Sequence, residues 1–376
     1  MNRNTYLIYL FITLLLCSCN NKTNNSNKEK HIIEFKQEYI TNYNQSNIVD
    51  STQLICLLEN PDEDLQIKQI DKICIKNNHI YIADTYLKRL IVFNKEGIAF
   101  HQIGSMGNGP GEYSSIADFY VTASNDIYIY DSVKKKIILY DSKNNYIKDF
   151  NINFEGEHFV QLNNNEFLFS LAPYNEGKLK RKKIAITDKD FNTINTMFEF
   201  EKNTDPNYQF ISPLTEYCDK FVYNRGISND IYIFSSKGII ENIITFDFGS
   251  LNVSTNKLND INKLLESDDS YSYIAACPIL INNTILSIIN KENELFTCIY
   301  DIKKKKTYLN NISNFSVNNL NIPLSVTDNG QVISYFNEDI YPNYKNDKNI
   351  SESIKNEIQN GAYVVCLYNI NNSFFN

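Results

Sequence analysis

Four histidines, six cysteines beyond residue 19 and two recurring aspartates are the side chains in this 376-residue chain best suited to acid–base, nucleophilic or metal chemistry. A metal-assisted hydrolase or lyase needs several His, Asp or Glu side chains converging on one ion. The histidines do not promise that. His31 lies in a polar N-terminal tract, His79 at a tight turn, and His101 and His158 in unrelated registers. No Cys-x-x-Cys or Cys/His cluster supports a zinc site, and no Gly-x-Ser-x-Gly elbow supports a serine nucleophile. No metal or cofactor is therefore expected. Asp84 and Asp131 resemble a pair of catalytic carboxylates until their settings are aligned. Each ends the same local pattern, Ile80-Tyr81-Ile82-Ala83-Asp84 and Ile127-Tyr128-Ile129-Tyr130-Asp131, which assigns both to turn capping. The glycine-rich run Gly104 to Gly111 lacks the following helix and the Lys-Ser/Thr of a phosphate cradle, because Pro110 and the strand-like Ile116 to Val121 follow instead. It reads as a connection.

The elements that would position these groups are strands. The two copies lie 47 residues apart, and each precedes a second apolar run, Leu90 to Phe93 and Ile137 to Tyr140, at the same offset. A repeat of that length with alternating runs is the signature of a propeller blade. Six tight turns separate such runs: Asn77-Asn78, Ser124-Asn125-Asp126, Asn163-Asn164-Asn165, Asp219-Lys220, Asn282-Asn283 and Asp328-Asn329-Gly330. Asn, Asp and Gly suit them because short hairpins require positive φ. The prediction is an all-β, six-bladed β-propeller with four-stranded antiparallel blades. Its sixth blade runs out of chain after Tyr363 to Tyr368, so Gln53 to Leu58 from the N-terminal side is expected to close the ring, leaving no free edge there. A two-sheet sandwich is the competing architecture. One amphipathic helix is expected at Ile350 to Gln359, packed on the blades.

Ahead of the blades, a positively charged start, the apolar run Tyr6 to Leu16 and Leu16-Cys17-Ser18-Cys19 form an export signal too short for a lasting membrane span. Its ending resembles a bacterial lipobox, which makes residues 1–18 a signal peptide and Cys19 the lipid-attachment residue. The tract Asn20 to Lys30 holds no large apolar group, so residues 19–47 are expected to be a lipidated N-terminus and tether, with the propeller at 48–372. By similarity to lipoprotein sorting rules, the absence of an acidic residue after Cys19 favours an outer-membrane lipoprotein of the cell envelope. A net charge of −8 argues against nucleic acid as partner. The lysine clusters at 134–136, 180–183 and 303–306 read as solvated hairpins, and the scattered cysteines as buried free thiols.

Residues 53 to 150 carry a more specific likeness. Ile80-Tyr81-Ile82-Ala83-Asp84 with Arg89 five residues on, and Gly104-Ser105-Met106-Gly107-Asn108-Gly109-Pro110-Gly111, resemble NHL repeats and the six-bladed β-propeller lipoproteins of Bacteroides-type bacteria. The resemblance implies an exported propeller and supplies no mechanism.

Connections alternate between the two faces of a propeller, and the long irregular ones fall on a single face: Gly104 to Ser115, Ala172 to Lys182, Glu201 to Phe210, Gly249 to Ser270 and Asn337 to Gly361. Long loops on a rigid scaffold are where recognition concentrates. Tyr86, Lys88, Arg89, Tyr174, Arg181, Asn224, Arg225, Tyr341 and Tyr344 are the candidate ligand-binding residues on that face, where aromatic planes and polar tips would suit a carbohydrate, a peptide or an envelope protein. The leading expectation is a lipid-anchored binding, sensing or scaffold protein. The alternative is an envelope propeller enzyme of hydrolase, lactonase or lyase type with a site lining the channel.

Overall fold

The computed structural model describes residues 30–34, 40–42, 48–60, 64–202, 204–205, 213–266, 270–312, 316–320, 322–342 and 344–371. They form six blade sheets, each with four antiparallel blade strands, arranged as a six-bladed propeller, and one two-stranded pair, Ser105–Met106 with Glu112–Tyr113. The inner strands, which line the axis, are Lys72–Lys76, Asp118–Val121, Gly156–Gln161, Leu214–Tyr217, Ile279–Ile281 with Ser272–Ile274, and Ser325–Val326. The apolar core lies between blades rather than within any one of them. Tyr81, Leu90 and Phe119, for example, pack between blades 1 and 2, and Ile55, Ile91 and Ile333 between blades 6 and 1.

The sixth blade is closed by Val49–Leu57, which pairs antiparallel along Tyr363–Ile370. Positive φ falls in all six inner hairpins, at Asn77, Asn125, Asn164, Cys218, Asn282 and Gly330. The fourth lies one residue earlier than expected, at Cys218-Asp219. Lys220 already belongs to the second strand, and Cys218 takes the left-handed conformation (φ 55°).

A second 47-residue period emerges on the outer hairpins. Asn94, Asp141, Asp188 and Ser235 open four successive turns, with the left-handed residues Gly97, Asn144, Phe191 and Gly238 three places on. Asp141 Oδ1 accepts from Lys143 and Asn145 N–H, Asp188 Oδ1 from Asp190 and Asn192 N–H, and Asn94 Oδ1 from Glu96 and Ile98 N–H. Each turn is preceded by a bulge in the same register, at Phe93, Tyr140, Thr187 and Phe234, which adds twist to the outer strand.

One expectation is corrected at the N-terminal side. Two strands fall inside the segment 19–47 assigned to a tether: Lys30–Glu34 pairs parallel with Ile240–Asp247 on the outer edge of blade 4, and Ile40–Asn42 pairs parallel with Lys306–Asn311 on that of blade 5. The polar composition concealed them, yet Ile33 is buried in the core shared by blades 4 and 5, which anchors the added strand. Residues 1–29, including Cys19, lie outside the described residues. The predicted helix is Glu352–Gln359, capped by Ser351, and Ile350 and Ile358 bury its apolar stripe against blades 5 and 6.

Candidate functional site

Asp84 and Asp131 perform the same task in consecutive blades. Asp84 Oδ2 accepts from Lys68 and Gln69 N–H at 2.6 and 3.2 Å, and its Oδ1 accepts from Leu87 N–H at 2.7 Å. Asp131 accepts from Ser114 N–H at 2.6 Å and from Val133 and Lys134 N–H at 3.0 and 3.1 Å. Both carboxylates are wholly buried and tie the second hairpin of their blade to the incoming connection. Further around the ring an amide substitutes: Asn175 accepts from Glu155 N–H and donates to the Glu155 and Ala172 carbonyls. The glycine-rich run is likewise structural. Glu112 occupies the space beside Gly107, its carboxylate accepts from Gly109 N–H at 2.6 Å, and at Gly104 (φ 62°) a Cβ would collide with Tyr140.

The nine candidate residues of the loop-rich face divide by burial. Tyr86 and Tyr174 stand out at 70% and 49% exposure, and Lys88, two residues after Tyr86, takes a φ of 55° that shapes the turn of the first blade. Arg89 pairs with Asp64 at 2.8 Å, and Arg181 donates to the Phe200 carbonyl. The other four are not displayed. Asn224 is buried and donates to the Ser228 and Asp230 carbonyls at 2.8 and 2.9 Å. Arg225 forms a buried two-pronged ion pair with Glu157, its second prong at 2.7 Å, and lies over the Phe200 ring, locking blades 3 and 4 together. Tyr341 and Tyr344 are 3% and 0% exposed and belong to the core beneath the last long loop. Polar and aromatic residues in a connection read as surface, but a connection folded back onto two blades has an inner side of its own.

What the sequence did not single out is any residue of the axis, where only the alternative enzyme reading placed a site. A cavity of about 540 Å³ runs along it, walled by the inner strands of all six blades. Towards the loop-rich face the wall is apolar: Ile70, Leu214, Ile227, Leu265 and Leu324, with Leu265 brought in by the short helix Ile261–Leu265 of the connection from blade 4 to blade 5. Beside it sits a charged hub. Asp118, with its side chain fully buried, accepts from Lys72 Nζ at 2.6 Å and from Phe159 N–H at 2.8 Å, and His158 Nδ1 stands 3.3 Å away. Burial pushes the Asp118 carboxyl up, but Lys72 and His158 outweigh it and hold it below the usual carboxylate range. The hub thus joins blades 1, 2 and 3.

At the short-turn end the floor is polar. Tyr120 of blade 2 donates across the channel to Glu216 of blade 4 at 3.2 Å, Lys76 lies over the Tyr120 ring, and Lys76 Nζ is 4.0 Å from Asp328. Burial raises the Glu216 carboxyl despite the opposing pull of Lys76, and raises the Cys74 thiol to about 11, so that thiol is no nucleophile at neutral pH. Among the described residues no three His, Cys, Asp or Glu side chains are grouped to hold a metal ion. The arrangement is a cup with apolar walls and a few convergent polar groups, the form of a small-molecule site. A repeating inner-strand pattern was the signal for it, since a strand that ends every blade on one axis must line whatever space the axis leaves.

The comparisons agree on the fold. A solved structure of a Bacteroides fragilis protein, provisionally named as exported, is similar over 90% of this chain and 99% of that one, at 21% identity and TM-score 0.72. A Bacteroides vulgatus member of the duf4221 family is similar over 87% and 99%, at 9% identity and TM-score 0.54. Virginiamycin B lyase from Staphylococcus aureus, at 12% identity over 75% of this chain and 95% of that one with TM-score 0.39, is too distant to bear on activity. A search of curated proteins returns no match to this sequence. A family model described as 6-bladed beta-propeller matches residues 20–334, in keeping with the six sheets and their shared axis, and the chain belongs to that family.

Proposed function

We propose that this is a lipid-anchored binding protein of the cell envelope that takes its ligand on the loop-rich face, at the mouth of the central cup. The observation that carries the reading is the cup itself: about 540 Å³, within the span of small-molecule sites, with apolar walls on the side of the long connections. Apolar walls supply burial, and the polar groups at the rim and floor supply direction. The export signal and the Leu16-Cys17-Ser18-Cys19 sequence support acylation at Cys19 and an outer-membrane address.

The chain has no tryptophan, so one introduced indole reports without background. An L265W variant titrated with N-phenyl-1-naphthylamine should show saturable energy transfer, and glycan and peptide panels would then be scored by displacement. An I239W control, on an exposed residue of an outer hairpin, should show none. Equal transfer in both variants would remove the cup as the site. Acylation is tested separately by metabolic labelling with an azido fatty acid, which C19S should abolish.

A further inference from the structure

We propose that the edge-running N-terminal segment orients the ring on its membrane, with the short-turn face towards the bilayer and the loop-rich face, with the mouth of the cup, towards water. The proposal rests on the lipid-anchor reading above, and adds to it a direction and a source of ligand: the aqueous phase rather than the lipid.

The direction comes from strand register. The last strand of a blade runs from the short-turn face to the loop-rich face, and Lys30–Glu34 is parallel to the last strand of blade 4, with Lys30 opposite Ile243 and Glu34 opposite Asp247. The chain therefore comes onto the ring from the short-turn side. Lys30 sits three residues beyond Ile240, where the partner strand begins, or about 10 Å from that end. Ile40–Asn42 and Val49–Leu57 run the same way on blades 5 and 6, so all three N-terminal strands share this sense. From Cys19 to Lys30 there are eleven Cα steps, a span of at most about 37 Å. To lay the loop-rich face on the bilayer, the chain would have to reverse at Lys30 and climb past the four remaining residues of the blade 4 edge, about 13 Å, and the connections beyond them.

Charge gives independent support. The outer hairpin of blade 5 lies on the short-turn face beside the strand Ile40–Asn42 and carries four consecutive exposed lysines, Lys303 to Lys306, against one carboxylate, Asp301. Such a cluster is drawn to an anionic leaflet.

The test places one fluorophore at either end of the blade 4 edge strand, on K237C or S250C in a C218S background of the full lipidated chain. The protein is bound to phosphatidylethanolamine–phosphatidylglycerol vesicles containing a headgroup-linked quencher. Quenching at K237C should exceed that at S250C by about threefold or more, a contrast that follows from the ~25 Å separation of the two strand ends. Replacing Lys303 to Lys306 by Gln should reduce the contrast. Equal or reversed quenching overturns the orientation. Failure to float with vesicles defeats the anchor reading, and then a chain starting at residue 20 with an N-terminal hexahistidine, held on nickel-chelating vesicles, repeats the measurement without the acyl group. The same contrast there supports the orientation, and its absence ends it.

Discussion

The two ends of the axial cup hold carboxylates under opposite regimes. At the loop-rich end Asp118 is buried but surrounded by donors, Lys72, Phe159 N–H and nearby His158, and its carboxyl is held low. At the short-turn end Glu216 receives one hydroxyl, from Tyr120, and its carboxyl is pushed up by burial. Burial is common to both, so the number and charge of the donors decides the outcome. Asp118 behaves as a rivet between three blades, whereas Glu216 carries a charge that the fold tolerates at a cost.

The contrast breaks most clearly at the rivet. Asp118→Ala removes the counter-charge of Lys72, whose side chain is only 22% exposed and keeps only the Phe119 carbonyl, and leaves Phe159 N–H without its acceptor, so it should destabilise by about 3 kcal/mol in urea unfolding. Because the folded carboxyl is depressed, Asp118 contributes fully above the unfolded value near pH 4, and this contribution fades as pH falls through the lower folded value. The gap between the wild-type and variant melting temperatures should therefore be constant from about pH 5 to 7 and narrow below pH 4. A gap that persists unchanged to pH 2 would mean that packing, not charge, holds the rivet.

Asp84→Ala should come next, at about 2 kcal/mol, since it deprives three backbone N–H groups of one acceptor in the first blade. Asp131→Ala should cost about the same, because its bonds reproduce the pattern 47 residues on. Unequal losses would show that the copies have diverged in energy while agreeing in geometry.

That equivalence bears on what a reader of the sequence sees. Asp84 and Asp131 were legible because a repeated carboxylate at a repeated strand end has a local cause, the capping of its own turn. The blades were legible for the same reason, as was the helix under the last loop, while the closing strand, expected at Gln53 to Leu58, begins four residues earlier at Val49. The period at Asn94, Asp141, Asp188 and Ser235 was equally local, but its residue types vary, so the shared backbone bond from the residue three places on reveals it where letters do not. The hub was hidden because Asp118, Lys72 and His158 come from three blades and meet only once the ring closes. Arg225 and Tyr344 misled in the opposite direction: each sits in a connection with surface-like composition, yet one is clamped by Glu157 from the preceding blade and the other is sealed in core. Ile32 and Ile33 were too small an apolar signal, within a polar tract, to mark strands added at another blade's edge.

The smallest effect sharpens the comparison from the other end. Glu216→Gln keeps a carbonyl oxygen able to accept from Tyr120 and removes a charge that burial disfavours, so it should stabilise slightly at neutral pH, by up to about 1 kcal/mol. The raised carboxyl retains its proton in the folded state to higher pH than in the unfolded chain, so the wild-type penalty is absent below the unfolded value near pH 4 and grows as pH rises through the folded one. Wild type and variant should therefore melt together at pH 4 and separate above it, the reverse of the Asp118 profile. Loss of stability in E216Q at pH 7 would show instead that Lys76 depends on the Glu216 charge, and that the floor, like the hub, is an ion-paired brace.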